Sequence, residues 1–254
     1  MNDICCVDNL SFSYNPSRKI IDDVSCKITN GEIVGILGRN GSGKTTILNL
    51  ITGFLKNYSG SITIKNKNIK DYSLKTRART MSYIQQHRLF IPDYYTVEDF
   101  ILEGRRPFRK FGFYNSEDYV LLDKVLKQCS LEKFRKQTVN EISGGEFQRC
   151  IFAKALMKQC DLFIFDEPTS AMDIKYQKDF FELLSIAKKE LNAAVILSIH
   201  DINLAVKYCD RLIVLDSGKI LYDGNSKQIT KEILSQAFDI ELTNTLPSEP
   251  YFYY

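Results

Sequence analysis

Gly38-Arg39-Asn40-Gly41-Ser42-Gly43-Lys44-Thr45 decides the reading of this chain. It has the form G-x-x-x-x-G-K-[ST], a phosphate-binding loop. The apolar run Ile33-Val34-Gly35-Ile36-Leu37 precedes it and predicts a buried strand. Thr46-Ile47-Leu48-Asn49-Leu50-Ile51 follows with apolar residues at helical spacing. The motif therefore sits in the strand–loop–helix setting its chemistry requires. Glycines at 38, 41 and 43 allow the backbone to curl and aim successive N–H groups at phosphate oxygens. The helix starting near Lys44 adds its positive end. Lys44 supplies a point charge for the outer phosphates, and the Thr45 hydroxyl is suited to Mg²⁺.

The 254 residues suffice for one large α/β domain with a small lobe. A hydrophobic content of 44% allows a full core to be built. The net charge of +3, from 34 basic and 31 acidic residues, is too mild to argue for a nucleic-acid partner. Seven cysteines without a C-x-x-C pair predict no disulfide framework or zinc site, in keeping with a reducing cytosol. No signal peptide is visible, and the apolar run Ala193 to Leu197 is far short of a membrane span. A soluble protein is expected, with any membrane role exercised through a partner.

In chain order, Ile28 and Ile33-Val34 flank Thr29-Asn30-Gly31, a hairpin-like signal. Tyr14 lies where a strand enters a loop; it reads either as an aromatic face for an adenine ring or as an ordinary half-buried strand aromatic. Ser61 to Ile64, with a turn at Lys65 to Asn68, predicts an antiparallel sheet beside the nucleotide core. Lys75, Arg77 and Arg79 read as a solvated face. Met81 to Ile84 is a further strand, ending at Gln85-Gln86. A helix-rich region then runs to about residue 160. Asn115 to Asp118 reads as a helix cap followed by acids, and Ser143-Gly144-Gly145-Glu146 as a capping box. Asp161 to Phe165 is a central parallel strand ending in Asp166-Glu167-Pro168. The strand Ala194 to Ile199 ends in His200. Two short strands, Arg211 to Leu215 and Lys219 to Tyr222, and a small tail complete the chain.

Ligands of open α/β sheets bind at the carboxyl ends of strands. Asp166 is there a carboxylate able to hold Mg²⁺ through water, and Glu167 is placed to polarise an attacking water. His200 either contacts a terminal phosphate or steadies that water, or is structural.

Taken in order, the phosphate loop, Gln86, Ile142-Ser143-Gly144-Gly145-Glu146-Phe147-Gln148-Arg149, Phe165 to Ser170, Asp173 and His200 resemble an ABC transporter ATPase subunit over about residues 4–225. The resemblance implies a single ATPase domain with a P-loop NTPase fold. Its mainly parallel core, with the antiparallel β part, would comprise residues 1–85 and 161–225. A helical subdomain would occupy 86–160 and a C-terminal tail 226–254. It implies ATP and Mg²⁺ as ligands, with ATP on Tyr14 and on Gly38, Arg39, Asn40, Gly41, Ser42, Gly43, Lys44, Thr45 and Thr46. Mg²⁺ would be held by Thr45, Gln86 and Asp166, and catalysis carried by Glu167, His200 and Gln86, with Gln85 the lesser choice for that glutamine. Ser143, Gly144, Gly145 and Glu146 would contact the nucleotide of an opposing subunit, and Asp173 would communicate across that homodimer. Permease subunits, an extracytoplasmic binding protein and a position on the cytoplasmic membrane face are also implied.

Ile142 and Glu146 depart mildly from the family pattern, and Phe147 is unusually apolar at its position. Val97 to Pro107 and the tail after Gly224 resemble the importers of iron–siderophores, haem or vitamin B12. Arg105, Arg106, Arg109 and Lys110 are expected either to rim a permease-docking surface or to form a solvated loop. The rival readings are an ABC ATPase for another metal ion or small solute and a non-transport ATPase acting on a soluble partner.

Overall fold

A computed structural model describes residues 3–85, 91–109, 112–169 and 172–241. The strands and helices follow in order: β1 (Asp3–Phe12), β2 (Ile21–Thr29), β3 (Ile33–Leu37), α1 (Lys44–Ile51), β4 (Ser59–Ile64), β5 (Lys67–Asn68) and α2 (Leu74–Thr80). Then come β6 (Met81–Ile84), α3 (Val97–Leu102), α4 (Ser116–Gln128), α5 (Gly144–Leu156), β7 (Leu162–Phe165) and α6 (Ile174–Leu191). β8 (Ala194–Ser198), α7 (Ile202–Tyr208), β9 (Arg211–Asp216), β10 (Lys219–Asn225) and α8 (Lys231–Phe238) complete them.

Two sheets form. One is antiparallel, in the order β2-β1-β4-β5. The other runs β10-β9-β3-β8-β7-β6, with only the edge pair β10–β9 antiparallel. The turn at Thr29-Asn30-Gly31 therefore does not close a hairpin, as its sequence suggested. β2 and β3 belong to different sheets, and the turn carries the chain from one layer to the next. Local turn chemistry specifies a reversal but not which partner each strand finds. The true two-residue hairpins lie at Lys65-Asn66 and Ser217-Gly218, where both residues in each pair have positive φ.

Side chains on the parallel strands alternate between two cores, as the strand period requires. Ile33, Leu37, Phe163, Phe165, Val195 and Leu197 face the layer of α3–α8. Val34, Ile36, Leu162, Ile164, Ala194 and Ile196 face α1 and the antiparallel sheet. Strands covered on both faces read as continuous apolar runs, which is why β3, β7 and β8 stood out in the sequence. Among the described residues no helix is long and apolar enough to cross a membrane. All seven cysteines are free thiols, six of them buried.

The helix signals hold at their capping residues. The Asn115 side chain accepts from Asp118 N, and Ser143 from Glu146 N, each with the reciprocal contact of a capping box. Phe147 packs its ring 5.6 Å from that of Phe100 and joins α5 to α3, which accounts for an apolar residue there.

Two expectations about basic residues change. Arg77 is not on a solvated face: its Nη1 donates to Thr52 O (3.1 Å) and Gly53 O (2.7 Å) at the end of α1. Arg105 and Arg109 do not rim an open surface either. Both are drawn to Asp118, a carboxylate only 1% exposed. A buried carboxylate is tolerated only where cations and donors surround it, so these guanidiniums turn inward. Arg106 remains exposed, and Lys110 lies outside the described residues.

Candidate functional site

The phosphate loop joins the carboxyl end of β3 to α1. Its three glycines have φ of 149° (Gly38), 79° (Gly41) and 108° (Gly43), which side-chain-bearing residues rarely adopt. A β-carbon at Gly38 would lie 2.3 Å from Leu215 O and 2.6 Å from Ser42 Oγ, whereas at Gly41 nothing lies within 4 Å. The loop is thus pinned at one end and open at the other. Lys44 is 4% exposed, and its ammonium donates to Gly38 O (2.8 Å) and Arg39 O (3.1 Å). Burial lowers its pKa, partly offset by the nearby Glu167 and Asp166 carboxylates. Ser42 Oγ is buried with no hydrogen-bond partner among the described residues, and no side chain caps the N-terminus of α1. An orphaned hydroxyl, uncapped helix N–H groups and a buried ammonium fit a polyphosphate. The cleft beside the loop measures about 340 Å³ and includes Arg18, Lys19 and Arg39 in its lining.

Asp166 and Glu167 follow β7, and His200 follows β8, so all three converge on the same end of the sheet as the loop. Thr45 Oγ1 donates to Asp166 Oδ1 at 3.1 Å. Among the described residues no three His, Cys, Asp or Glu side chains converge on a metal position. The hard oxygens of Thr45 and Asp166 fit Mg²⁺, which takes few protein ligands and completes its shell with phosphate and water. Glu167 has φ of 50°, and its Oε1 lies 2.6 Å from His200 Nε2. The strand register and this backbone turn send the adjacent carboxylates in different directions, Asp166 toward Thr45 and Glu167 toward His200.

Tyr14 is 58% exposed and places its hydroxyl 3.4 Å from Thr46 Oγ1, with its ring edge-on to Phe12. It stands at the phosphate-loop helix with ring surface still open. Ser143, Gly144 and Gly145 line a separate cleft with Asp173 and Tyr176; the residues of this cleft and of the phosphate-loop cleft do not overlap. Glu146 is occupied in capping Ser143. Gln86 lies outside the described residues.

Sequence reasoning missed two neighbours of these groups. Tyr176 fills with its ring the space a β-carbon would take at Gly145. Ser198, at the end of β8, joins Asp166 to Glu167. A serine inside the otherwise apolar run Ala194 to Ile199 was the available signal for the second. Tyr176 carried none, because its partner lies on another helix.

Residues 21–170 match the family described as ABC transporter. The chain belongs to this family and is one of its ATP-binding, ATP-hydrolysing subunits. It is 33% identical to the petrobactin import ATP-binding protein FpuC of Bacillus anthracis, with 96% of this chain and 90% of that one covered. It is likewise 33% identical to the hemin import ATP-binding protein HmuV of Bradyrhizobium diazoefficiens, with 88% and 84% covered. Its fold superposes with a TM-score of 0.80, at 27% identity, on a chain from the solved inward-facing structure of a metal-chelate type ABC transporter, covering 94% and 90%.

Proposed function

We propose that this subunit works as a homodimer on the cytoplasmic face of a membrane, bound to permease subunits, and hydrolyses Mg·ATP to drive uptake of an iron-chelate, haem or related cargo. The separation of the two clefts carries this reading. The phosphate loop and the Ser143–Gly145 helix tip line two clefts of one subunit that share no residue, so each is read as a half-site that a second copy completes. Gly38 to Thr46 would hold the triphosphate, with Tyr14 against the base. Ser143, Gly144 and Gly145 would meet the phosphates of the opposing copy, with Asp173 at the contact. Mg²⁺ on Thr45 and Asp166, with Gln86 at its edge, would neutralise phosphate charge. Glu167 takes the proton of the attacking water, and His200, 2.6 Å from Glu167, holds that carboxylate in position.

A membrane partner would seat beside the end of β6. Phe54 is 68% exposed and its ring stands 5.7 Å from that of Tyr83, two residues before Gln85. The imports named for FpuC and HmuV support the cargo class, with a binding protein delivering it outside the membrane. Glu167→Gln tests the catalytic core. It should lower kcat by about 10²–10⁴ while ATP still binds and holds two subunits together. Turnover at the parent rate would remove Glu167 from this role.

A further inference from the structure

Ser198 is 0% exposed, the last residue of an otherwise apolar central strand. A hydroxyl has one proton to give and lone pairs to receive. Here the Ser198 O–H donates to Asp166 Oδ1 at 2.8 Å, and its oxygen accepts from Glu167 N–H at 2.7 Å. One buried atom therefore links two neighbouring residues assigned to different tasks. Glu167 has a left-handed backbone, a conformation that costs free energy in a residue with a side chain. The accepted N–H bond opposes relaxation of that peptide. At Asp166 the other hydroxyl donor is Thr45. Thr45 is itself assigned to the cation through its oxygen, which leaves Ser198 as the hydroxyl donor to Asp166 that has no cation to hold. Ser198 is buried behind the site, and its hydroxyl serves only these two neighbours among the described residues.

We infer that Ser198 is a positioning residue. Its hydroxyl fixes the orientation of the Asp166 carboxylate for the divalent cation and the backbone turn that aims Glu167 at His200. The inference rests on the ATPase reading and deepens it. Strand β8 reaches this role through its register: Phe165 pairs with Leu197, so Ser198 falls level with the peptide that follows β7.

The test compares Ser198→Ala with the parent chain, and Ser198→Thr with Ser198→Val, a pair of nearly equal shape that differs in the hydroxyl. Three quantities are read: affinity for a fluorescent ATP analogue in EDTA, affinity of the nucleotide complex for Mn²⁺ by electron paramagnetic resonance, and kcat. Ser198→Ala should bind nucleotide in EDTA as the parent does, since the phosphate loop is untouched. Its Mn²⁺ affinity and kcat should each fall about tenfold or more, as expected for losing a hydrogen bond to a charged group. Thr should exceed Val by a similar factor in both. Equal values for Thr and Val, or Ser198→Ala within twofold of the parent, overturn the inference. So does collapse of nucleotide binding in EDTA, because the hydroxyl would then support the whole site rather than these two groups. If the parent chain loads Mn²⁺ and nucleotide but never hydrolyses ATP, and Mn²⁺ affinity still drops on losing the hydroxyl, the bridge stands and the ATPase reading falls.

Discussion

Asp118 shows what a single residue can be made to do by its neighbours. Burial raises its pKa, but Arg109, Arg105 and the cap at Asn115 outweigh that and hold it below the ordinary 3.8. A carboxylate with a depressed folded pKa stabilises the fold above its unfolded pKa, and the contribution fades as pH falls through the folded value. Asp118→Asn should therefore cost about 2 kcal/mol at pH 7 in urea unfolding, a discount on a fully buried pair because both guanidiniums are partly exposed. The gap between variant and parent should narrow as pH drops below about 4. A gap independent of pH would mean that shape, not charge, is what Asp118 contributes. Gly145 belongs to the same scale. The ring of Tyr176 occupies the place of its missing β-carbon at 2.2 Å, so Gly145→Ala must push the ring and the N-terminus of α5 apart. Pairing it with Tyr176→Ala should recover some of the lost thermal stability, and a double variant no better than the single one would show that the ring is not the obstacle.

Elements in this fold are finished by residues distant in sequence. Helix α1 begins in the phosphate loop and ends at carbonyls that Arg77 of α2 takes up. Those last carbonyls of a helix lack intrahelical partners, and a guanidinium is a strong donor for them. Arg77→Met retains the apolar stem but not the donors. It should lower stability by about 1.5 kcal/mol, or ~2–4 °C in Tm by scanning calorimetry. An unchanged Tm would place Arg77 back among solvated residues. Helix α5 is the opposite case, since Ser143 and Glu146 close its capping box within four residues. That is why its start could be read directly. Within the charged run at 75–79, Arg77 looked solvated because its acceptors, Thr52 and Gly53, lie some two dozen residues back along the chain, whereas Lys75 and Arg79 are exposed as read.

At the scale of the whole molecule, the parallel sheet collects the site by ending β3, β7 and β8 on one side. Each strand delivers one piece of chemistry, and none is complete alone. If the second half-site comes from another copy, association should depend on nucleotide. Glu167→Gln should shift from monomer to dimer in light scattering on adding ATP and Mg²⁺, and parent protein in ADP should not. A dimer of equal strength without nucleotide would refute the shared site. The membrane partner can be tested on the opposite count: Phe54→Asp should reduce co-purification of a permease while ATP affinity stays within about twofold, as expected for substitution of an exposed residue outside the loop. Full retention of the permease would move the docking surface elsewhere.

Local sequence determined much of this protein. The glycines at 38, 41 and 43, the carboxylates closing an apolar run and the capping box at Ser143 each act over a few residues, so their meaning survives without a fold. The strands buried on both faces were equally plain, because such burial leaves unbroken apolar runs. What only the tertiary structure decided were pairings between distant segments: β2 and β3 assigned to separate sheets, Arg77 drawn to α1, Arg105 and Arg109 to Asp118, and Ser198 set between Asp166 and Glu167. The physical reason is common to all of them. A buried polar group must find a partner, sequence states that need, and only packing of the whole chain settles which group meets it.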